Sequence, residues 1–134
     1  MIPEKINLEI LTPEKKMYSG EVSSVRIPGI EGHFGVYPGH TPFVSSLRVG
    51  EIKIEVDGNE EILAASGGFV EVLPTGVSVL ADTCEGASDI DLKRAESARE
   101  RARERLEEGR KVWDTDRAQI ALARAINRIS VVSR

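Results

Sequence analysis

Aromatic residues and cysteines are scarce in this sequence of 134 residues. Aromatic side chains make up 4% of it while hydrophobic residues make up 40%, so we expect a core built from Val, Ile, Leu and Ala. The single cysteine, Cys84, excludes an internal disulfide bond, and we expect it to be a small buried residue. With one cysteine and two histidines there is no clustered ligand set, so we expect no metal site.

Long apolar runs are also missing. No stretch approaches the ~20 apolar residues that cross a bilayer, and residues 1–4 begin no signal peptide. We therefore expect a soluble chain, or one that meets a membrane only through a partner. A net charge of -4 and a pI of about 5.3 argue against nucleic-acid binding as the overall role.

Motifs of catalysis are absent from the sequence. It lacks the Gly-x-x-x-x-Gly-Lys-Ser/Thr phosphate loop, and Gly29, Gly32 and Gly35 are not followed by a helical pattern, so they form no dinucleotide-binding fingerprint. No serine or cysteine is accompanied by a histidine and an acid that could activate it. We therefore expect that the chain is not an enzyme.

Alternating apolar and polar residues predict a β-rich first part. Strands are expected at residues 6–12, 22–27, 43–47, 52–56, 62–64, 69–73 and 77–80. The most specific local signal is Asp57-Gly58, a hairpin turn between two alternating runs, and Gly67-Gly68 predicts a bend or bulge. Short strands at this spacing predict a sandwich or flattened barrel.

Residues 28–42 concentrate glycine and proline, with four and three of them, and they contain both histidines of the chain, His33 and His40. Glycine permits close turns and proline limits strand pairing, so we expect a rigid folded loop with a role at the surface. The alternative is a tight connection in which the histidines only cap backbone groups.

The composition changes near Asp82, after which Ala, Arg, Glu and Leu dominate. Ser88 with Asp91 three residues later predicts a capped helix start, and Gly109 predicts the end of that helix. Asp114 or Thr115 predicts the start of a second helix that ends near residue 131. We therefore expect an α+β fold with a β-sandwich in residues 1–86 and an antiparallel helical hairpin in residues 87–134.

The apolar faces of the two helices are narrow. Spacings of three and four place one stripe on each helix: Ile90, Ala95, Ala98, Ala102 and Leu106 on the first, and Ala118, Ala121, Leu122, Ala125 and Ile129 on the second. Alanine buries little surface, at ~0.8 kcal/mol per buried methyl group. We therefore expect a movable hairpin, and the alternative is a hairpin that stays docked.

Arginines form a second pattern on these helices. Two sets each occupy one helix face: Arg94 and Arg101 on the first helix, and Arg117, Arg124 and Arg128 on the second. If the chain reverses near Lys111, four of them converge: Arg94, Arg101, Arg124 and Arg128. Like charges repel unless an anion joins them, and the forked donors of arginine suit phosphate oxygens. Asp91 lies one turn before Arg94 and can orient an arginine or accept a hydrogen bond from a sugar or base.

A solvated charged face is the alternative explanation for these arginines. Pairs such as Glu100 and Arg103 have the spacing of ordinary exposed helix pairs, worth ~0.2–0.5 kcal/mol each.

Three segments, in their order and spacing, carry a resemblance. They are residues 31–42 (Glu-Gly-His-Phe-Gly-Val-Tyr-Pro-Gly-His-Thr-Pro), 66–72 (Ser-Gly-Gly-Phe-Val-Glu-Val) and 79–82 (Val-Leu-Ala-Asp). Along its whole length the sequence resembles the epsilon subunits of bacterial F-type ATP synthases. The resemblance implies an N-terminal antiparallel β-sandwich of about ten strands followed by a C-terminal antiparallel helical hairpin.

The resemblance also implies a non-catalytic rotor subunit at the cytoplasmic face of the cell membrane. Such a subunit binds the gamma subunit and the ring of c subunits, and it helps to couple proton flow to ATP synthesis. The implied ring contact falls on Glu31, His33 and His40. The family commonly has an acidic residue at the position of His33.

A regulatory hairpin is the third implication of the resemblance. In this family the extended hairpin blocks ATP hydrolysis through its basic second helix, which contacts the alpha and beta catalytic subunits. Here the implied inhibitory residues are Arg117, Arg124 and Arg128. Some bacterial members bind ATP in the folded hairpin through an Ile/Leu-Asp-x-x-Arg-Ala motif, which stands intact at residues 90–95. The implied nucleotide-binding residues are Glu85, Ile90, Asp91, Arg94, Ala95, Arg101, Arg124 and Arg128.

ATP is thus expected as a regulatory ligand, with or without Mg²⁺, and no cofactor is obligatory. Two alternatives stay open. One is a purely structural coupling subunit with a fixed hairpin, for which nucleotide is irrelevant. The other is an enzyme in its own right, which the absence of an activated nucleophile disfavours.

Overall fold

A computed structural model describes residues 4–134 of the chain, and it divides them into two compact units, one ending at Glu85 and the other comprising Gly86–Arg134. Residues 1–3, at the start of the segment in which we expect no signal peptide, lie outside the described residues. In this part of the chain no helix is long and apolar enough to cross a membrane.

Among its described residues the first unit is a β-sandwich of eight strands, where the resemblance implied about ten. The strands are β1 (Ile6–Leu11), β2 (Lys16–Val22), β3 (Ser24–Gly29), β4 (Gly32–Val36), β5 (Phe43–Ser46), β6 (Gly50–Val56), β7 (Asn59–Leu73) and β8 (Gly76–Gly86). They form one sheet in the order β2-β1-β8-β7-β6-β3-β4, and β5 pairs with β7. β1 and β8 run parallel, which is an exception to the antiparallel arrangement that we expected.

The long strand β7 changes partners at Gly67-Gly68. Its first half pairs with β6 from Asn59 to Ala65, and its second half pairs with β5 from Phe69 to Val72. Both glycines have positive φ, 62° and 113°, and a β-carbon on Gly68 would lie 2.0 Å from the carbonyl oxygen of Leu80. The predicted bend is therefore present, and only glycine fits it without strain.

The core of the sandwich is aliphatic, as the composition predicted. Along β1, Ile6, Leu8 and Ile10 are buried while Asn7 is exposed, which is the period-2 pattern of a half-buried strand. The buried residues of the sandwich form one core cluster that includes Cys84. Burial raises the pKa of the Cys84 thiol to about 11, so this cysteine is an inert core residue.

The segment 28–42, which we expected to be a folded loop, contains a strand. β3 and β4 form a tight hairpin in which Gly29 faces Gly32, so the first half of the segment is part of the sheet. Strand β2 was missed for a different reason. It lies at the end of the sheet order, and within it only Val22 is buried, so its sequence lacks an alternating apolar face.

The second unit consists of a short 3-10 turn (Ala87–Asp89) and two packed helices, α1 (Leu92–Glu108) and α2 (Thr115–Val132). The helix ends confirm Gly109 as a C-cap, with φ 80°, and Asp114 as an N-cap that accepts hydrogen bonds from the N–H groups of Asp116 and Arg117. The predicted cap Ser88 is wrong. Ser88 lies in the 3-10 turn, and Asp91 caps α1 by accepting from the Arg94 N–H at 3.1 Å.

The seam between α1 and α2 is made of small residues, as predicted. Ala95 and Ala102 of α1 and Ala118 and Ala125 of α2 are buried. The prediction of Ala121 as a seam residue is wrong, because its side chain is exposed. Ala121 follows Ala118 by three residues, which places its side chain about 60° around the helix from the buried alanines of α2 and outside the contact with α1.

Candidate functional site

The arginines named above occupy equivalent positions on both helices. Arg94 and Arg101 directly precede the buried residues Ala95 and Ala102, and Arg117 and Arg124 directly precede Ala118 and Ala125. One residue corresponds to about 100° of rotation, so each arginine lies beside the seam and in the same rotational sense. Because the helices of a hairpin run in opposite directions, this shared sense places both rows on the same side of the hairpin. We call this side the arginine face.

Arg128 belongs to the same face. It lies three residues after Ala125, about 60° from the seam on the arginine side, and it is half-buried. Arg94 is in the first turn of α1 and Arg128 is in the last turns of α2, so the two arginines lie near the same end of the hairpin. The 3-10 turn Ala87–Asp89 also packs against α2 at this end.

Most of these guanidinium groups have no acidic partner. Within residues 4–134 the following arginines form no salt bridge: Arg94, Arg101, Arg117 and Arg124. On the other side of α1, by contrast, Arg99 and Arg103 both pair with Glu100, at 3.4 and 3.3 Å. Charge is therefore unevenly distributed on the hairpin. On one side of α1 the arginines pair with Glu100, whereas on the arginine face the four arginines just named form no ion pair among the described residues.

Arg124 is the most constrained member of the arginine face. Its Nε atom is buried and has no hydrogen-bond partner among the described residues. A buried donor without an acceptor costs about 1–3 kcal/mol, so an acceptor brought to this point would be bound favourably. This unsatisfied N–H is the feature of the structure that best fits an anionic ligand.

The motif at residues 90–95 forms the start of α1. The Asp91 carboxylate is bound to the helix as its N-cap, Ala95 is buried in the seam, and Ile90 is half-buried beside the 3-10 turn. Arg94 is exposed. Glu85 belongs to β8, at the end of the first unit, where it is half-buried.

The predicted ring-contact residues lie around the β3–β4 hairpin of the sandwich. Glu31 is exposed in its turn, next to Ile30, which is 64% exposed. The backbone N–H of Ile30 donates to the carbonyl of Ser46 at 3.0 Å, so the turn is anchored to the end of β5. The turn therefore presents Ile30 and Glu31 at the surface in a fixed position.

His33 lies on β4 and accepts a hydrogen bond from Arg48, whose Nη2 is 3.2 Å from the imidazole Nδ1. Burial lowers the pKa of His33 below its ordinary value, and the nearby cations Arg26, Arg48 and Lys53 lower it further, against a smaller opposing effect of Glu51. His33 is therefore held neutral, which suits its role as acceptor.

His40 follows β4 in the connection to β5. Its backbone N–H donates to the carbonyl of Tyr37 at 3.2 Å, and its Nδ1 is buried without a hydrogen-bond partner among the described residues. The structure thus assembles Glu31, His33 and His40 along one short stretch of the sandwich, but they form no mutual contact among the hydrogen bonds and ion pairs of that stretch.

Sequence reasoning missed two contacts that the fold creates. One is the Arg48–His33 hydrogen bond, which joins residues 15 positions apart. The other is a cluster at the hairpin turn, where Trp113 contacts Arg105 and Glu108. The single tryptophan of the sequence, placed between two predicted helices, was the signal available for the second contact.

Comparisons with known proteins agree with this architecture. The β-sandwich domain of the ATP synthase delta/epsilon chain matches residues 5–87, and the long α-helix domain of that chain matches residues 88–133. An ATP synthase epsilon chain of Syntrophobacter fumaroxidans is 48% identical over 98% of both chains, and one of Halalkalibacterium halodurans is 41% identical over 96% of this chain and 98% of that protein.

A solved structure shares the fold at lower sequence identity. A chain in the cryo-EM structure of the Euglena gracilis mitochondrial ATP synthase, described as OSCP/F1/c-ring in rotational state 1, superposes with a TM-score of 0.86 at 23% identity. The superposition covers 100% of this chain and 84% of that one. Two matched domains and full-length relatives above 40% identity lead to one conclusion: this chain belongs to the family of ATP synthase epsilon chains.

Proposed function

We propose that this chain is a non-catalytic rotor subunit in the central stalk of a proton-translocating F-type ATP synthase. Its full-length relatives are ATP synthase epsilon chains. Chains of the same fold come from an F1/c-ring assembly and from a central stalk/c-ring assembly. Its partners are then the gamma subunit and the c-ring, and it lies at the cytoplasmic face of the cell membrane, peripheral and held there by the complex.

The ring contact is made by the β3–β4 end of the sandwich, through Glu31, His33 and His40. Support comes from the exposure of Ile30 and Glu31 on a turn that β5 anchors. Cysteine cross-linking in the assembled complex tests this assignment. Glu31→Cys is expected to cross-link to a c subunit. Asn59→Cys, at the exposed start of β7 and near the other end of the β3–β6 pair, is expected not to. Equal cross-linking from both positions contradicts the assignment.

The hairpin of this subunit binds ATP when folded. The arginine face carries this part of the proposal, because cations held close together favour a polyanion between them, and Arg94, Arg101 and Arg124 form no salt bridge within residues 4–134. Arg94, Arg124 and Arg128 bind the phosphates and Arg101 assists them, with the buried Nε of Arg124 as a donor. Asp91 holds the start of α1 in place, and Ile90 and Ala95 flank the base or sugar. The nucleotide binds with or without Mg²⁺.

The bound nucleotide then stabilises the folded hairpin over the extended one. A ligand at a hundred times its dissociation constant stabilises the state that binds it by ~2.7 kcal/mol. That is comparable with the packing of a seam whose buried residues in both helices are mainly alanines. When ATP is scarce the hairpin extends, and Arg117, Arg124 and Arg128 contact acidic segments of the alpha and beta subunits and block hydrolysis.

Calorimetric titration of ATP into the full chain, with and without Mg²⁺, tests nucleotide binding. Arg94→Ala and Arg124→Ala are each expected to weaken binding about tenfold or more, since each removes a charge-assisted hydrogen bond. Arg103→Ala is the matched control, because Arg103 pairs with Glu100 on the opposite side of α1. Absence of binding heat, or an equal effect of the control, contradicts the proposal.

A fixed hairpin in a purely structural coupling subunit is the second candidate. The capped helix ends and the Trp113 contacts favour it, because they hold the reversed turn without any ligand. The two candidates predict different behaviour of the assembled enzyme. If the hairpin is fixed, Arg94→Ala and Arg128→Ala leave the regulation of ATP hydrolysis unchanged. If it moves, Arg94→Ala keeps hydrolysis inhibited at ATP concentrations that relieve the wild type, whereas Arg128→Ala inhibits less strongly, because it also removes an inhibitory contact.

A further inference from the structure

The turn between α1 and α2 contains a cluster of three side chains. The Arg105 guanidinium lies over the ring of Trp113, 4.5 Å from its centroid, and the indole Nε1–H donates to the Glu108 carboxylate. Arg105 and Glu108 belong to the last turn of α1, whereas Trp113 directly precedes Asp114, the N-cap of α2. The cluster therefore connects the end of one helix to the start of the next.

The backbone of the turn supports the same geometry. The Gly109 N–H donates to the Arg105 carbonyl at 3.1 Å, and the N–H groups of Val112 and Trp113 both donate to the Gly109 carbonyl, at 3.2 and 3.1 Å. These hydrogen bonds close the turn locally, but they do not join it to the side chains of α1. The indole ring supplies that link.

The cluster can exist only in the reversed turn. If α1 continued through the turn as a helix, Arg105 and Trp113 would be eight residues apart and so separated by about 12 Å along the axis. Glu108 and Trp113 would then point about 140° apart around the helix. Because the contacts of Trp113 with Arg105 and Glu108 form in the reversed turn and not in a continuous helix, they stabilise the folded hairpin relative to the extended one.

We propose that Arg105, Glu108 and Trp113 form a latch that stabilises the folded hairpin against extension of the turn. Trp113 and its two partners are then positioning residues: they set where α2 begins relative to α1, and so they hold the arginine face together. The latch also explains why Arg105, which precedes the half-buried Leu106 on the arginine side, is not available to that face. The regulatory consequence rests on the proposed function, but the latch itself does not.

Spin-label distance measurements on the full chain test the latch without nucleotide. Ser97→Cys on α1 and Ile126→Cys on α2 provide exposed labelling sites, and Cys84 reacts slowly because burial raises its thiol pKa to about 11. The ratio of long to short distances, followed along a urea series below the unfolding of the sandwich, reports extension of the hairpin. A chain without added cysteines controls for labelling of Cys84.

Trp113→Ala is expected to raise the extended-to-folded ratio about five- to tenfold, since it removes both the cation–π contact and the hydrogen bond. Trp113→Phe, which keeps a ring beneath Arg105, and Glu108→Gln are expected to raise it about two- to threefold. Glu107→Gln and Arg103→Gln are matched controls outside the cluster and are expected to leave the ratio within experimental error.

Two results overturn the latch. One is a change below twofold for Trp113→Ala, and the other is an equal effect of Glu107→Gln and Glu108→Gln. Should Trp113→Ala lower the helix content measured by circular dichroism, Trp113→Phe and Arg105→Gln decide the question, and unchanged ratios in both reject the latch. Adding ATP to the same samples separates the two proposals, because a latch effect without a nucleotide effect contradicts only nucleotide binding.

Discussion

From residue 4 onward, the β-sandwich packs eighteen buried residues into one core cluster, and several of its large side chains, such as Ile10 and Ile27, are fully buried. The hairpin buries only four alanines and Val131 completely. Burial of a large aliphatic side chain contributes about 1.5–3 kcal/mol, and an alanine methyl far less. The sandwich is therefore held together by its core, whereas the folded form of the hairpin depends on helix caps, turn contacts and charge. A hairpin stabilised in this way can respond to a ligand.

The largest expected effect tests this difference directly. Leu8→Ala, at a core position that is 1% exposed, is expected to destabilise the sandwich by about 2–5 kcal/mol, through lost burial and a residual cavity. Leu106→Ala, at a half-buried seam position, is expected to cost the hairpin about 1 kcal/mol. Native-state hydrogen exchange resolves the two units separately. Equal losses in both contradict the comparison.

Glycine substitutions provide the second test. Gly68 and Gly109 both have positive φ, but a β-carbon at Gly68 would meet the backbone of β8, whereas one at Gly109 would meet nothing within 4 Å. Gly109→Ala is therefore expected to cost about 1–3 kcal/mol from backbone strain alone, and Gly68→Ala more than that. Urea denaturation of the two variants measures the difference, and a larger loss for Gly109→Ala would contradict the contacts described for Gly68.

A smaller effect is expected at the start of α2. Asp114→Ala removes the carboxylate that accepts from two backbone N–H groups, so it is expected to destabilise the hairpin by about 1 kcal/mol and to leave the sandwich unchanged. Hydrogen exchange of the first turn of α2 measures it. Gln119→Ala, an exposed change on the same helix, serves as the control, and an equal loss there refutes a capping role.

The smallest effect is a pH dependence centred on His33. Its folded-state pKa is lowered from 6.5, so just below pH 6.5 the unfolded chain binds more protons than the folded one, and stability falls as the pH decreases. His33→Gln is expected to flatten this dependence in thermal unfolding between pH 7.5 and 5. In NMR titrations Arg48→Gln is expected to raise the pKa of His33 toward 6.5. A further decrease of the His33 pKa in Arg48→Gln would show that Arg48 does not lower this pKa in the wild type.

The two regions also differ in how far the sequence predicts them. The β6–β7 hairpin followed directly from Asp57-Gly58, and the structure confirms it with φ of 51° and 84° at these residues. Gly109 and Asp114 were confirmed as helix ends for the same reason, because a turn or a cap depends on a few adjacent residues. Strands β2 and β4 were missed because one is an exposed edge and the other interrupts its pattern with glycine.

Periodicity was informative for the helical seam and the arginine rows because a helix repeats regularly. It placed the four buried alanines of the hairpin, but it was wrong at Ala121, which is exposed, and at Ile90, which precedes α1, and it missed the buried Val131. Contacts between residues far apart in the sequence, or across a turn, produce no repeating pattern from which they could be predicted. The bond from Arg48 to His33 depends on how β4 lies beside the chain that follows β5, and the Trp113 cluster depends on the path of the turn.

The parallel pairing of β1 with β8 has a consequence for how the chain is made. β1 lies between β2 and β8 in the sheet, so residues 7–11 acquire their second neighbour only when residues 76–80 are available. During synthesis the sandwich therefore cannot complete its sheet until β8 has left the ribosome. The hairpin, whose contacts join nearby positions, needs no such wait, and structures rich in local contacts form faster. Once its own residues are available, the hairpin is thus expected to form within microseconds to milliseconds.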